Sequence, residues 1–124
     1  MKIAVIGVGR VGEQVRKNLS GFIHHGIQMF PGYKTVACPK GYDVTFLQGC
    51  DAAVICTPFT AILAEATKAV NAGVRAIFSC TEDWETGFYL KRLPVHVEPH
   101  CGLAPGFVGD LAHETLKRLL RLSR

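Results

Sequence analysis

The chain has 124 residues, of which 48% are hydrophobic, and a formal net charge of +4. This length predicts one domain, residues 1–124, with a core of its own, and no apolar run approaches the roughly 18 residues of a membrane span. The excess positive charge lies at residues 117–124 and is no sign of a nucleic-acid surface. We expect a cytoplasmic protein without a secretory leader, a membrane partner or a nucleic-acid partner.

The chain opens with an apolar strand, residues 3–6, that runs directly into three glycines. Gly7, Gly9 and Gly12 have the G-x-G-x-x-G spacing, in which the first glycine allows a tight turn and the second leaves room for a pyrophosphate. The third glycine lets the following helix pack closely, and amides at the helix N-terminus face the phosphates. The sequence therefore predicts a dinucleotide-binding loop formed by Gly7, Val8, Gly9, Arg10, Val11 and Gly12.

Helices and strands alternate after this loop. A helix is predicted over residues 11–19, with Val11, Val15 and Leu19 along one face. The second strand is predicted at residues 26–30 or, with more β-branched side chains, at 33–38, and we favour the latter. Residues 41–47 contain at most a short third strand, without room for a full helix.

An apolar run at residues 52–56 predicts a buried central strand. A helix follows, with the Thr57 hydroxyl as N-cap, Pro58 at the first helical position and Gly73 as the left-handed C-terminal cap. Later elements are strands at 74–79 and 95–98, a connection or short helix at 82–93, and a final helix from residue 106. The buried face of the helix after Pro58 is predicted to consist of Phe59, Ile62, Leu63, Ala66 and Val70.

This order indicates an α/β fold, a Rossmann-like doubly wound parallel sheet in one compact domain. Ligands of such sheets lie beyond the carboxyl ends of the strands. The predicted crevice is lined by residues 7–12, 38–40, 57–59, 80–82 and 100–106.

The second strand lacks the acidic residue with which many NAD sites hold the ribose hydroxyls. Lys34 and Lys40 are there instead, and either cation could pair with a 2′-phosphate. We therefore favour NADP over NAD as the cofactor. The alternative is that both lysines simply point into water.

Further candidates follow the later strands. Cys56, Thr57 and Pro58 resemble the loop that passes beside the nicotinamide ribose in many dehydrogenases, although the same residues also suit a simple helix cap. Glu82, as a general base, and His100 are the candidates for a catalytic residue, which the sequence does not identify.

The five cysteines are an odd number without a Cys-x-x-Cys pair, which argues against disulfides and a zinc site. We expect reduced, mostly buried thiols. Adjacent His100 and Cys101 point to opposite faces of a strand, so they are poorly placed to ligate one ion. No bound metal is expected.

The segment Cys101-Gly-Leu-Ala-Pro-Gly-Phe-Val-Gly-Asp-Leu111 resembles the saccharopine dehydrogenase and lysine 6-dehydrogenase family, which has a similar Gly-x-x-Pro-Gly turn before a helix. Residues 50–59, 72–74 and 81–82 are similar to that family in order and spacing. The resemblance implies the cofactor-binding domain of an NAD(P)-dependent oxidoreductase that moves hydride at a carbon–nitrogen bond of an amino acid. The family continues with a substrate domain, so we expect catalysis to need a homo-oligomer or a partner domain.

Two other functions remain open. The opening Gly-x-Gly-Arg-Val-Gly also resembles the nucleotide-sensing domains that gate potassium transport systems. Those domains usually keep an acidic residue after the second strand and lack the turn at residues 104–106, which favours the dehydrogenase-like interpretation. The third hypothesis is a remnant fold that serves as an interaction module without a ligand.

Overall fold

A computed structural model of the chain describes residues 2–7, 9–19, 21, 23–24, 27–28, 33–79 and 83–99. The strands are β1 (Lys2–Ile6), β2 (Ile23–His24), β3 (Ile27–Gln28), β4 (Lys34–Cys38), β5 (Ala52–Ile55), β6 (Ala76–Ser79) and β7 (His96–Glu98). The helices are α1 (Arg10–Leu19), α2 (Phe59–Asn71) and α3 (Trp84–Leu90), with a 3-10 helix at Val44–Leu47.

The main sheet has five strands in the order β4-β1-β5-β6-β7, and all its neighbouring strands are parallel. β1 lies between β4 and β5. The chain reaches β4 on one side of β1 through α1, crosses to β5 on the other side through the 3-10 helix, and continues outward through α2 to β6. This is the doubly wound arrangement, and the predicted α/β Rossmann-like class is confirmed.

Both faces of the sheet are covered. In β1, Ile3 and Val5 pack with Val15 and Leu19 of α1. The alternate residues of β1 join the cluster on the other face, with Ile62 of α2 and Leu90 of α3. β5 and β6 are buried at every position, as expected for strands that helices enclose on both sides.

The favoured second strand at 33–38 is confirmed as β4. The competing segment is not part of the main sheet, because β3 pairs with β2 in a separate antiparallel hairpin. Residues 41–47, for which at most a short third strand was predicted, contain no strand: Asp43 accepts a hydrogen bond from the Thr45 amide at 2.9 Å, and the chain turns into the 3-10 helix. The absence of room for a full helix between β4 and β5 is confirmed.

The start of α2 differs from the prediction by one residue. Pro58, and not Thr57, is the N-cap residue, and no side chain caps this helix. Gly73 ends α2 with a φ of +97°, as predicted. Ile62, Ala66 and Ala69 are its fully buried residues, and Leu63 and Val70 pack against them; the Phe59 side chain lies outside the described residues.

The segment after β6 forms α3, which begins where the Asp83 carboxylate accepts a hydrogen bond from the Thr86 amide at 2.7 Å. β7 confirms the predicted last strand, and the predicted final helix lies outside the described residues. No described helix is long and apolar enough to cross a membrane.

Candidate functional site

A cavity of about 520 Å³ lies at the carboxyl ends of β1, β4 and β5. Its volume falls in the range of small-ligand pockets, and its position is where doubly wound sheets bind ligands. Gly7 and Gly9 form one wall, residues 38–42 at the end of β4 form the second, and residues 56–58 with the first turns of α2 form the third. The structure thus brings together three of the predicted crevice segments.

Gly7 lies tightly against the loop that follows β5. Its φ is +106°, and a Cβ atom there would lie 2.9 Å from the carbonyl carbon and oxygen of Cys56. The Gly7 amide donates to the Cys38 carbonyl at 3.1 Å, and the Cys56 amide donates to the Ile6 carbonyl at 2.8 Å. These contacts join the ends of the three strands beneath the cavity.

Gly12 and Gly9 have opposite surroundings. A side chain at Gly12 would overlap the carbonyl oxygen of Gly7, which confirms the predicted close packing of helix and strand. A Cβ atom at Gly9 would meet no atom within 4 Å. The loop therefore has an open surface at Gly9, where a ligand could reach the backbone.

The N-terminus of α1 lies beside this open surface. The Gly9 carbonyl accepts the first helical hydrogen bond, from the Glu13 amide at 3.0 Å. The amides of Arg10, Val11 and Gly12 come before that donor, so they have no acceptor within the helix. They add to the positive end of the helix dipole, and the arrangement suits an anionic group such as a phosphate.

Thr57 supplies a polar atom without a partner. Its Oγ1 is buried and makes no hydrogen bond in the described part of the chain, and the residue lines the cavity. A buried hydroxyl left unpaired costs about 1–3 kcal/mol, so native proteins usually satisfy such atoms. A ligand at this wall would give the hydroxyl a partner.

The end of β4 carries no negative charge. Cys38 stands where an acidic residue would hold a ribose, and its side chain is buried. Burial raises the pKa of the Cys38 thiol to about 11, so the group is neutral at physiological pH. Cys50 is also buried, and Cys56 is partly exposed.

The two lysines of this segment lie at opposite ends of β4. Lys40 lines the cavity. Lys34 pairs in register with Lys2 at the amino ends of the strands, about 13 Å along β4 from Cys38. Lys34 is therefore too far from the crevice to pair with a phosphate there, and of the two lysines Lys40 is the one that lines the cavity.

Two further residues at the cavity were missed by the sequence analysis. The Tyr42 hydroxyl donates to Glu65 Oε2 at 2.8 Å, and both residues line the cavity. Burial, followed by the hydrogen bond to Glu65, raises the pKa of Tyr42 well above its usual range, so the phenol remains a donor. The sequence held one signal for Glu65: it follows Ala61 by four residues, a spacing that places both side chains on one face of α2.

Most of the predicted cofactor residues gather here. Arg10, Val11 and Gly12 form the first turn of α1. Val8, Glu82 and His100 lie outside the described residues. Among the residues that the structure does describe, no group of three or more metal-ligating side chains could hold an ion. Those predicted site residues that line the cavity are Gly7, Gly9, Lys40, Cys56, Thr57 and Pro58.

Comparison with known proteins gives a match among solved structures. No protein-family model and no curated protein matches the chain. The fold is similar to that of apo scyllo-inositol dehydrogenase from Lactobacillus casei, with a TM-score of 0.54 and 20% sequence identity. The match covers 80% of this chain and 36% of the dehydrogenase chain. It shows a shared fold.

Proposed function

We propose that the chain is a nicotinamide dinucleotide-binding domain of an oxidoreductase. The observation that carries this proposal is the glycine turn, where the open backbone at Gly9, beside the first amides of α1, lines a cavity at the switch point of the sheet. The fold shared with scyllo-inositol dehydrogenase supports it, because that enzyme is also an oxidoreductase.

The residues around the cavity fit such a cofactor. Gly9 and the amides of residues 10–12 would hold the pyrophosphate, and residues 38–42 after β4 would hold the adenosine half. Cys56, Thr57 and Pro58, after β5, would lie toward the nicotinamide half, where the Thr57 hydroxyl gains a hydrogen-bond partner. The cofactor supplies hydride transfer when bound, and this chain binds it, orients it and excludes water.

Lys40 supports NADP as the preferred form of the cofactor. The cation lines the cavity directly after the strand that ends at Cys38. The strand itself, Lys34–Cys38, contains no carboxylate that would repel a 2′-phosphate. An ammonium group binds phosphate as a point charge, so it suits this recognition.

The substrate is proposed to be an amino acid, on the strength of the resemblance at residues 101–111. Glu82 and His100 are the proposed catalytic candidates. The match to scyllo-inositol dehydrogenase covers 36% of that enzyme, so we propose that residues from a partner domain or from a second copy of this chain complete the substrate site. The free thiols of Cys38 and Cys50 fit a cytoplasmic location.

The test is a calorimetric titration of the chain with NADPH and NADH, with ADP and ATP as controls. We expect both reduced dinucleotides to bind, NADPH more tightly. The Lys40→Ala variant should lose about tenfold in NADPH affinity and keep its NADH affinity, since a hydrogen bond to a charged group contributes about 1.5–3 kcal/mol. Lys91→Ala, at an exposed position next to α3, is the matched control.

Three outcomes would contradict the proposal in different ways. ATP or ADP binding as tight as that of the dinucleotides would favour the nucleotide-sensing module. Failure of all four compounds to bind would favour the remnant interaction module. Equal binding of NADPH and NADH would retain the domain assignment and remove the preference for NADP.

A further inference from the structure

We propose that Glu65 recognises the adenine amino group of the bound dinucleotide, as a carboxylate that Tyr42 orients. This inference rests on the proposed function and adds to it a residue that selects the base. Three arguments support it: the place in the cavity that the proposed function gives to the adenosine half, the hydrogen bonding of the carboxylate, and the chemistry of the donors that adenosine offers.

The glycine turn determines where adenosine lies. With the pyrophosphate at Gly9 and the α1 amides, the adenosine ribose of a doubly wound fold lies at the end of the second main-sheet strand, which is β4. The cavity continues from Cys38 at this strand end toward α2. Tyr42, Ala61 and Glu65 also line the cavity, and the base would enter beside them.

The Glu65 carboxylate is oriented by one hydrogen bond and has a second oxygen that can accept another. Its Oε2 accepts the hydrogen bond from the Tyr42 hydroxyl, whereas Oε1 has no partner among the described residues. Tyr42 is itself held in place: only 7% of it is exposed, and Lys68 Nζ lies 3.8 Å from its ring centroid. The same Nζ donates to the Tyr42 carbonyl at 3.2 Å.

A carboxylate accepts hydrogen bonds and donates none, so its second oxygen can accept one from a donor on the ligand. Adenosine offers ribose hydroxyls and the exocyclic amine of the base. Lys40 follows the strand end within two residues and is placed for the ribose, whereas Glu65 lies two turns inside α2. The amine of the base is therefore the donor that suits Glu65.

The experiment compares NADP with nicotinamide hypoxanthine dinucleotide phosphate, in which a carbonyl oxygen replaces the adenine amine. We expect the native chain to bind NADP about tenfold more tightly, because the analogue loses a donor to a charged acceptor and places an oxygen against it. Glu65→Gln should remove or reverse this preference. The Tyr42 hydroxyl can donate to the glutamine carbonyl, and the amide nitrogen is then free to donate to hypoxanthine.

Two further variants complete the comparison. Tyr42→Phe should reduce the preference for adenine, since the carboxylate loses the donor that orients it. Glu85→Gln on α3 removes a carboxylate at an exposed position outside the cavity, so it should leave the preference unchanged. Calorimetric affinities are the readout for every variant, and a thermal melt verifies folding.

The outcomes separate this inference from the proposed function. Equal affinity of the native chain for NADP and the hypoxanthine analogue overturns the role of Glu65 and leaves the dinucleotide-binding assignment intact. A Glu65→Gln variant that changes the ratio of NADP to NAD affinity, with its base preference unaltered, also overturns it, in favour of ribose recognition. Failure of the native chain to bind NADP or NAD refutes the proposed function itself.

Discussion

The substitution Gly9→Val tests the central geometry of the site, because it separates folding from binding. A Cβ atom at Gly9 meets no atom within 4 Å, and the residue has no left-handed φ that would strain a side chain. Valine should therefore be accepted by the fold. Its methyl groups would occupy the open surface at the N-terminus of α1, where the pyrophosphate is proposed to approach the backbone.

The two effects differ in size. Gly9 precedes α1 as its capping residue, a position that favours glycine over valine, so we expect a stability loss of about 0.5–1 kcal/mol. In a chain of this length, that lowers the melting temperature by roughly 2–6 °C. Blocking the pyrophosphate removes at least two charge-assisted hydrogen bonds, each contributing about 1.5–3 kcal/mol. The predicted loss in NADPH affinity is therefore about hundredfold or more.

Calorimetry with NADPH measures the affinity, and a thermal melt measures the stability. Gly73→Ala is the matched control: its φ of +97° strains an alanine by about 1–2 kcal/mol, while the position lies at the far end of α2 from the cavity. This variant should lose stability and keep its affinity. A folded Gly9→Val protein with native affinity would refute the placement of the pyrophosphate.

Three other perturbations have defined outcomes. Gly12→Val should destabilise the fold by about 3 kcal/mol in urea unfolding, because its side chain would overlap the Gly7 carbonyl oxygen; a native-like midpoint would contradict the close packing. Thr57→Val should keep or raise stability by about 1 kcal/mol, since it removes an unpaired hydroxyl, yet weaken NADPH binding about tenfold; unchanged affinity would exclude a ligand contact. The Cys38 thiol has a pKa of about 11, so about one thiol in a thousand is ionised at pH 8. We therefore expect iodoacetamide to label Cys38 slowly in the native chain and rapidly after unfolding, as measured by mass spectrometry. Fast labelling of Cys38 in the native chain would contradict this.

Local signals account for what the sequence predicted correctly. The glycine turn, β5 and the end of α2 each depend on neighbouring residues: an apolar run beside glycines, or a glycine after a periodic helix. The hairpin of β2 and β3 escaped prediction because strands of two residues have no measurable alternation. Thr57 is a residue type that often caps helices, but the helix begins after Pro58. The Thr57 hydroxyl is instead buried at the cavity wall.

The segment after β4 shows a different limit. Residues 41–47 alternate like a strand, but Asp43 caps a 3-10 turn through its own side chain, which a short alternating pattern cannot reveal. The Tyr42–Glu65 contact joins residues 23 positions apart, so no local window contains it. Lys34 and Lys40 looked equivalent in the sequence. Only the position and direction of β4 show that they lie at opposite ends of this strand.

The shortened crossover and the charge pattern of the cavity have a common origin. Because residues 39–47 turn back tightly after β4, Tyr42 is buried against the cluster that also contains Cys38. That burial places its hydroxyl on Glu65 of α2 and brings a carboxylate to the cavity from a helix, while the strand end where such a group usually lies carries a neutral thiol. A longer crossover would leave Tyr42 without this packing, and Glu65 would lose the donor that orients it. The orientation of Glu65 therefore depends on the abbreviated connection, and lengthening that loop should alter the proposed adenine selection before it affects the glycine turn.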